Sequence, residues 1–387
     1  MISILAVIYI VFISLGLPDS VFGVSWPVVH LDLGVNESFA SIYSIITGIC
    51  SGSVSFFAGV VLRKFGTPNV TIVSILMTVI GLVGISFSPN IWVMMAFAII
   101  LGCGAGAIDT GLNNYVSNHY EARHMSWLHC FWGIGVTASP IIMSQFLTDV
   151  TGSWRNGYRV IAAIQVLIAL IVIFSLKKWN REDKKSDLSS EENSKDKGRL
   201  PYMKGLIPSI LSLGLYCSME FTIGTWGASY VVNTCALSPD TAARWISFYY
   251  GGIMLGRLVS GFISMKLSDN KLIRSGLIIS LIGLIVLFLP LGTVSLLGLL
   301  LIGFGFGPVF PSVLHSVPER FGSTFSADIT GFHMGGAYAV GFAFQLIFGY
   351  IMTATTFSIM PPILIMIAAL AAIANEIAIK KVKPAKV

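Results

Sequence analysis

Three carboxylates stand inside segments that are otherwise apolar: Asp19 in GLPDSVFG, Asp109 in GCGAGAIDTGLNNY and Glu220 in YCSMEFTIGTW. An ionised carboxylate at the centre of a membrane helix costs about 3 kcal/mol on insertion scales, and acids retained there mark ion or substrate pathways. Asn113 lies four residues beyond Asp109, on the same helical face, and Asn114 follows it. An acid beside an amide offers acceptors and donors together, which suits a ligand with several hydroxyl groups. A carboxyl group at that depth also serves as a proton carrier. Asp109, with its amide neighbour and a run of glycines before it, is the first candidate for that role, ahead of Asp19 and Glu220. Asp328 and Glu376 sit nearer helix ends, where the cost is smaller and the signal weaker.

Aromatic residues accompany these acids. Trp26 follows Asp19 by two helical turns, Trp226 follows Glu220, and the run SWLHCFWGIG carries Trp127, His129 and Trp132. A flat apolar face beside hydrogen-bonding edges fits a sugar ring, so Trp26, Trp132, Trp226, His129 and His333 join Asp19, Glu220, Asn113 and Asn114 as candidate substrate contacts. The competing assignment for each Trp is interfacial anchoring or packing. His129 and His333 either line a cavity or tie helices together. Arg257, in GIMLGRLVSG, either pairs with a carboxylate in a gate or extends its head to the membrane surface.

The elements that must position these residues are membrane helices. Of the 387 residues, 55% are hydrophobic and 11% charged, against about 25% charged in soluble domains. Apolar runs such as 70–87 and 160–176 are long enough to span a bilayer. Breaks at Gly, Pro, Asn and charge clusters predict twelve helices, near 4–31, 38–62, 69–88, 91–117, 124–148 and 155–177, then 204–233, 239–266, 271–290, 293–318, 325–353 and 359–380. Residues 1–18 carry no charged leader and are read as the start of the first helix. All but four of the 24 Lys and Arg residues fall on one side of this topology. Arg155, Arg159 and Arg244 fall on the other, and Arg257 lies within a helix. The positive-inside rule then predicts cytoplasmic termini in a cell or inner membrane. Residues 179–203 are too polar to fold alone and are expected to form a cytoplasmic linker between halves 1–178 and 204–387.

The halves repeat. Asp19 to Gly23 recurs at Glu220 to Gly224, and Gly102, Gly104 and Gly106 recur at Gly303, Gly305 and Gly307, both at one shift. A six-helix repeat keeps its orientation in the membrane. The halves should therefore be related by an axis along the membrane normal, with a substrate site between them near the midplane.

These residues resemble the major facilitator superfamily along nearly the whole chain, and within it the fucose:proton symporters. The resemblance rests on GLPDSVFG, GAGAIDTGLNNY, RHMSWLHCFWGIG and YCSMEFTIGTW. It implies an all-α fold of two pseudo-symmetric halves, with the acids at Asp19 and Asp109 and the amide at Asn113 serving sugar binding and proton coupling. The chain departs from that pattern in the fifth helix, where His129 and Trp132 replace Gln and Asn. It departs again at Gly59-Val-Val-Leu-Arg63-Lys64-Phe-Gly66, where Arg63 replaces the superfamily's Asp.

The expected function is proton-coupled symport of a sugar or related polar solute by a monomer, driven by the proton gradient. Export of drugs or lipids, or a non-transporting receptor, are the alternatives. Neither a phosphate-binding loop nor a protease or hydrolase signature is present, and the five cysteines show no metal-binding spacing. No enzyme, cofactor, metal or nucleic-acid role is therefore expected. The charge asymmetry gives a direct test: a single cysteine placed in 179–203 should react with a membrane-impermeant thiol reagent in inside-out vesicles and not in intact cells. Labelling from outside would reverse the topology.

Overall fold

The computed structural model describes residues 4–120, 122–147, 152–186, 203–289, 292–322 and 326–382. Among the described residues there are no strands, and twelve long helices and one short one account for the architecture. They are α1 (Ile4–Asp32), α2 (Phe39–Phe65), α3 (Thr67–Phe87), α4 (Ile91–His119), α5 (Ala122–Ser144) and α6 (Trp154–Ser186), then α7 (Leu206–Cys235), α8 (Pro239–Ile263), α9 (Asp269–Phe288), α10 (Ser295–His315), α11 (Val317–Phe321), α12 (Ser326–Ala354) and α13 (Met360–Lys381). In a bilayer every backbone polar group must be satisfied within the protein, which a helix does by itself. Ten of these helices are long and apolar enough to cross. The apolar part of α2 is shorter, Phe39–Ser55, and α5 carries His124, His129 and several other polar groups. Both lie at the junction of the halves, where α2 packs against α12 and α5 against α8.

Three boundaries differ from the sequence reading. The fifth helix ends at Ser144, not near 148. The tenth stops at His315, and Pro318 falls in the first turn of the separate short helix α11, where a proline costs no hydrogen bond. The sixth helix continues to Ser186, into the expected linker, because Trp179 is buried against Tyr115 of α4 with ring centroids 5.0 Å apart. Positions 187–202 of that segment lie outside the described residues.

Glycines set the helix crossings. A methyl group at Gly23 of α1 would run into the carbonyl oxygen of Gly224 on α7. These two residues are repeat-related, so α1 and α7 cross at equivalent points. On α4, Gly102 and Gly106 admit the backbone of Thr47 and Ser51 on α2, while on α10 Gly303 and Gly307 admit Tyr249 and Gly256 on α8. Gly104 likewise approaches Ser74 of α3, and Gly305 approaches Gly276 of α9. The glycine repeat in the sequence is a repeat of helix contacts, as small residues at membrane interfaces allow.

Prolines tie α1 and α5 to their neighbours. Pro18 cannot donate to the carbonyl four residues back, and Gln165 Nε2 of α6 donates to that carbonyl, Ser14 O, at 2.6 Å. Pro140 frees the Val136 carbonyl in the same way, and Ser20 Oγ of α1 donates to it at 2.9 Å. Both substitutions of side chain for backbone flank Asp19.

The α1–α7 crossing should be intolerant of bulk. Gly23→Ala should lower the midpoint of thermal unfolding in detergent, since overpacking a tight contact costs about 1–3 kcal/mol. Gly52→Ala, where no atom lies within 4 Å of the added carbon, should leave the midpoint unchanged or raised.

Candidate functional site

Four side chains form a chain of contacts across the junction of the halves. Trp132 of α5 donates its Nε1 hydrogen to Asp19 Oδ2 of α1 at 2.7 Å. The face of the same indole receives the guanidinium of Arg257 from α8, 4.6 Å from the ring centroid. Arg257 in turn pairs with Glu220 Oε1 of α7 at 3.7 Å, both side chains being largely buried at 11% and 14% exposure. Asp109 of α4 stands beside this series: Asn113 Nδ2 donates to its Oδ1 at 2.7 Å and to its backbone carbonyl at 2.9 Å. Its charge and that of Arg257 act on each other, as do those of Asp19 and Asp109. Three acids and one arginine thus share one region of the bundle.

Asp19 is exposed to solvent although it lies in the middle of a helix whose flanking residues are buried. An accessible carboxylate at that depth lines an internal space. Two buried polar atoms nearby, Asn113 Oδ1 and Arg257 Nε, have no hydrogen-bond partner among the described residues. Unmet polar atoms of this kind are costly and fit a site that is completed by a polar ligand or water.

The two ends of the junction differ. Where α1 ends and α2 begins, the halves are stitched together. Ser41 Oγ of α2 donates to Gln345 O of α12 at 2.9 Å, and the Ser44 and Thr225 hydroxyls are 3.2 Å apart; within the second half, Gln345 Nε2 donates to Phe221 O at 3.1 Å and to the Thr225 hydroxyl, which fixes the surface that meets α2. At the other end, Gly52 of α2 and Gly331 and Gly335 of α12 have no atom of the described residues within 4 Å of an added methyl carbon. Among the described residues, α2 and α12 are joined at one end of the bundle and not at the other.

Residues 8–345 match the sequence profile of the Major Facilitator Superfamily. The chain is a member of that superfamily. Its relatives include the glucose/mannose transporter GlcP of Bacillus subtilis, 25% identical over 70% of this chain and 69% of that protein. The cis,cis-muconate transport protein of Acinetobacter baylyi is 22% identical over 76% and 73%. Among solved structures, the inward-open xylose transporter XylE of E. coli superposes with a TM-score of 0.75 at 13% identity, covering 99% of this chain and 96% of that one. The E. coli fucose:proton symporter FucP gives 0.64 at 13% identity, covering 97% and 98%. The fold is that of the superfamily's transporters.

Within this superfamily member, the residues singled out from sequence divide into two groups. Asp19, Asp109, Asn113, Trp132, Glu220 and Arg257 come together. His129 joins their edge, half-buried, with its ring edge-on to Phe12 at 6.0 Å and within the electrostatic reach of Arg257. The side chain of Asn114 lies outside the described residues, as do those of Arg63 and Asp328. Trp26, Trp226 and His333 do not face the internal space, which corrects the expectation that they line it. Trp26 is fully buried, donates Nε1 to Glu37 O at 2.8 Å and packs on Phe22 and His30 at the closed end. Trp226 is fully buried below Gly349. His333 is held between Ile329 O and Ser209 Oγ, at 2.9 and 2.8 Å, and ties α12 to α7. Glu376 is no midplane acid: it forms a two-point ion pair with Arg274, both contacts at 2.6 Å, on the protein surface. Sequence reasoning missed Tyr250 and Tyr338. Both stand where the charges of Asp19 and Glu220 act on them. Tyr250 in SFYYGGIMLGR precedes Arg257 by seven residues, the two-turn spacing that drew attention to Trp26.

Glu37, in the turn between α1 and α2, is part of the closed end. Its Oε1 is buried without a hydrogen-bond partner. Burial pushes its carboxyl group above the usual range, with the Ser229 hydroxyl of α7 and His30 acting in the opposite sense. If the closed end separates, Glu37 meets water and returns to the ordinary carboxylate range near ~4.3. The closed form therefore binds the proton more tightly, so closure is strongest below the ordinary carboxylate range and weakens as pH rises from there through the raised value. Distances between spin labels on the α2 and α12 ends should report this pH dependence, and Glu37→Gln should abolish it with the closed form favoured throughout.

Proposed function

We propose that this protein is a secondary active transporter that moves a sugar or related polar solute together with protons by alternating access. The observation that carries this reading is the cluster of Asp19, Asp109 and Glu220 around Arg257 at the junction of the halves. Three carboxylates facing one guanidinium have more negative charge than the cation can balance, so a proton on one of them relieves the excess. Asp109 is the proposed proton site, because its other contacts are to a neutral amide. Asp19 and Glu220, with Asn113, Trp132 and His129, present the donors and acceptors that a polyhydroxylated solute requires. The unmet polar atoms of Asn113 and Arg257 argue for such a ligand over an apolar drug or lipid, for which they would remain uncompensated. Relatives named for glucose, mannose and galactose transport support a sugar as the substrate class.

In this reading residues 1–178 and 204–387 are the two halves that rock about the site, joined by a cytoplasmic linker, and the monomer is the working unit. With the termini in the cytoplasm, the end closed by Ser41, Gln345 and Thr225 faces outward, and the structure corresponds to the inward-facing limb of the cycle. The protein acts as a carrier driven by the proton gradient and needs no cofactor.

Proteoliposomes with an imposed pH gradient test the coupling. Wild-type protein should accumulate its sugar against a concentration gradient, and a panel of hexoses and pentoses identifies which. Asp109→Asn keeps volume and hydrogen bonding but removes the titratable group. It should abolish gradient-driven accumulation and retain at least a substantial part of sugar exchange at equal pH. Full accumulation by Asp109→Asn would move the proton site to Asp19 or Glu220, and accumulation by all three neutral variants would end the symport reading.

A further inference from the structure

Beside the acid cluster lies a group of rings that the network above does not use. Phe221 of α7, the residue after Glu220, is stacked with Phe342 of α12, centroids 5.2 Å apart and planes at 20°. Tyr338, one turn earlier on α12, is near-parallel to both, at 6.2 Å and 9° from Phe221 and at 6.0 Å and 11° from Phe342. All three are only partly buried. The stack is held from both sides. Gly341 leaves room for Phe221, a methyl there meeting its ring at 2.8 Å, and the tip of Phe342 occupies the space that Gly48 leaves on α2 of the other half. Next to the stack are Gln345 and Thr225, whose contacts with Ser41 and Ser44 of α2 join the halves at one end of the bundle.

Tyr338 differs from its two neighbours in carrying a hydroxyl group. That oxygen makes no hydrogen bond among the described residues. Its stacking partner Phe221 directly follows Glu220 on α7, and the charges of Asp109, Asp19 and Glu220 all reach Tyr338. The rings form a near-parallel, partly exposed set with one unbonded hydroxyl group at its edge. Such a surface suits a sugar ring, which has one face of C–H groups that lies on aromatic carbon and a rim of hydroxyl groups that bond donors and acceptors.

We infer that Tyr338 is a sugar-binding residue, its ring and those of Phe221 and Phe342 taking the apolar face of the sugar while its hydroxyl bonds one rim hydroxyl that the acids address from the other side. The inference rests on the sugar reading proposed above and specifies the surface that reads the ring. The platform takes the place that Trp26 and Trp226, buried at the closed end, do not fill. Phe342, seated against Gly48 of the other half, links this platform to the contact between the halves.

The test is equilibrium binding to the purified full-length protein in detergent, measured by calorimetry with hexoses, pentoses and their monodeoxy analogues. If the wild-type protein binds none of them, the sugar reading itself falls. If it binds one, Tyr338→Phe, which keeps the stack and the volume, should weaken that sugar about tenfold, the size expected for one lost hydroxyl contact. One monodeoxy analogue, lacking the hydroxyl that Tyr338 bonds, should bind wild type and Tyr338→Phe equally, because the contact is already absent. Tyr338→Ala, which also removes the face, should weaken all of them by at least a further tenfold. Unchanged affinity in Tyr338→Phe for every sugar would overturn the inference. So would an equal loss for the parent sugar and all of its deoxy analogues, since that is the signature of a packing role.

Discussion

Among the described residues, Arg257 is the cation that acts on Asp109 and pairs with Glu220, and in the interior of a membrane protein charge has no water to fall back on. Removing an unpaired ion from water costs several kcal/mol, so the guanidinium must be held by whatever surrounds it. It is held by Glu220 on its own half and by the indole face of Trp132 on the other. A planar guanidinium stacks on an aromatic face in a way an ammonium does not. The same indole commits its N–H to Asp19. Among these charged groups the two halves therefore meet through Arg257, which couples the acid of its own half to the indole that holds Asp19.

That cluster can exist only where the helices approach closely enough. The α1–α7 crossing at Gly23 and Gly224 brings Asp19 and Glu220, each one turn away, to opposite sides of the same point. Pro18 and Pro140 interrupt the hydrogen-bond ladders of α1 and α5 next to the residues that carry the contacts, and Gln165 and Ser20 repair the interruptions from neighbouring helices. The repair matters because a freed carbonyl in a membrane interior has no solvent to take its hydrogen bond. The site is thus framed by backbone approach and backbone satisfaction before any functional side chain is considered.

The contacts between the halves are of different kinds at different depths. At the closed end they are short hydroxyl and amide bonds between α2, α7 and α12. At the middle they are the arginine contacts and the seating of Phe342 against Gly48. At the other end the glycines of α2 and α12 have no described residue against them. Small polar bonds between helices are worth roughly 1 kcal/mol or less each in membranes, so a closure made of a few of them is reversible at modest cost. Glu37, buried at that closure with an unmet oxygen, is a further reason that the closed end is not permanently shut.

Much of this was legible in the sequence. Long apolar runs fixed the number of helices because a bilayer admits little else, and the repeated glycines marked contacts because only a missing side chain allows two backbones to touch. The midplane acids, Asn113, Trp132 and Arg257 were visible because polar groups in apolar segments are costly to keep. What the sequence left open was the direction each side chain faces. Trp26 lies on the same face as Asp19 by helical spacing, and Trp226 nearly matches Glu220, but α1 and α7 enter the closed end two turns later, and there that face meets other helices instead of a cavity. Tyr338, Phe221 and Phe342 looked like ordinary membrane residues, since an aromatic in an apolar run carries no cost and so no signal. Only the packing of α7 against α12, and of both against α2, decided that these rings stack and face the acids. Helical periodicity specifies a residue's angle about its own axis, and the identity of what stands opposite is a property of the neighbouring helices.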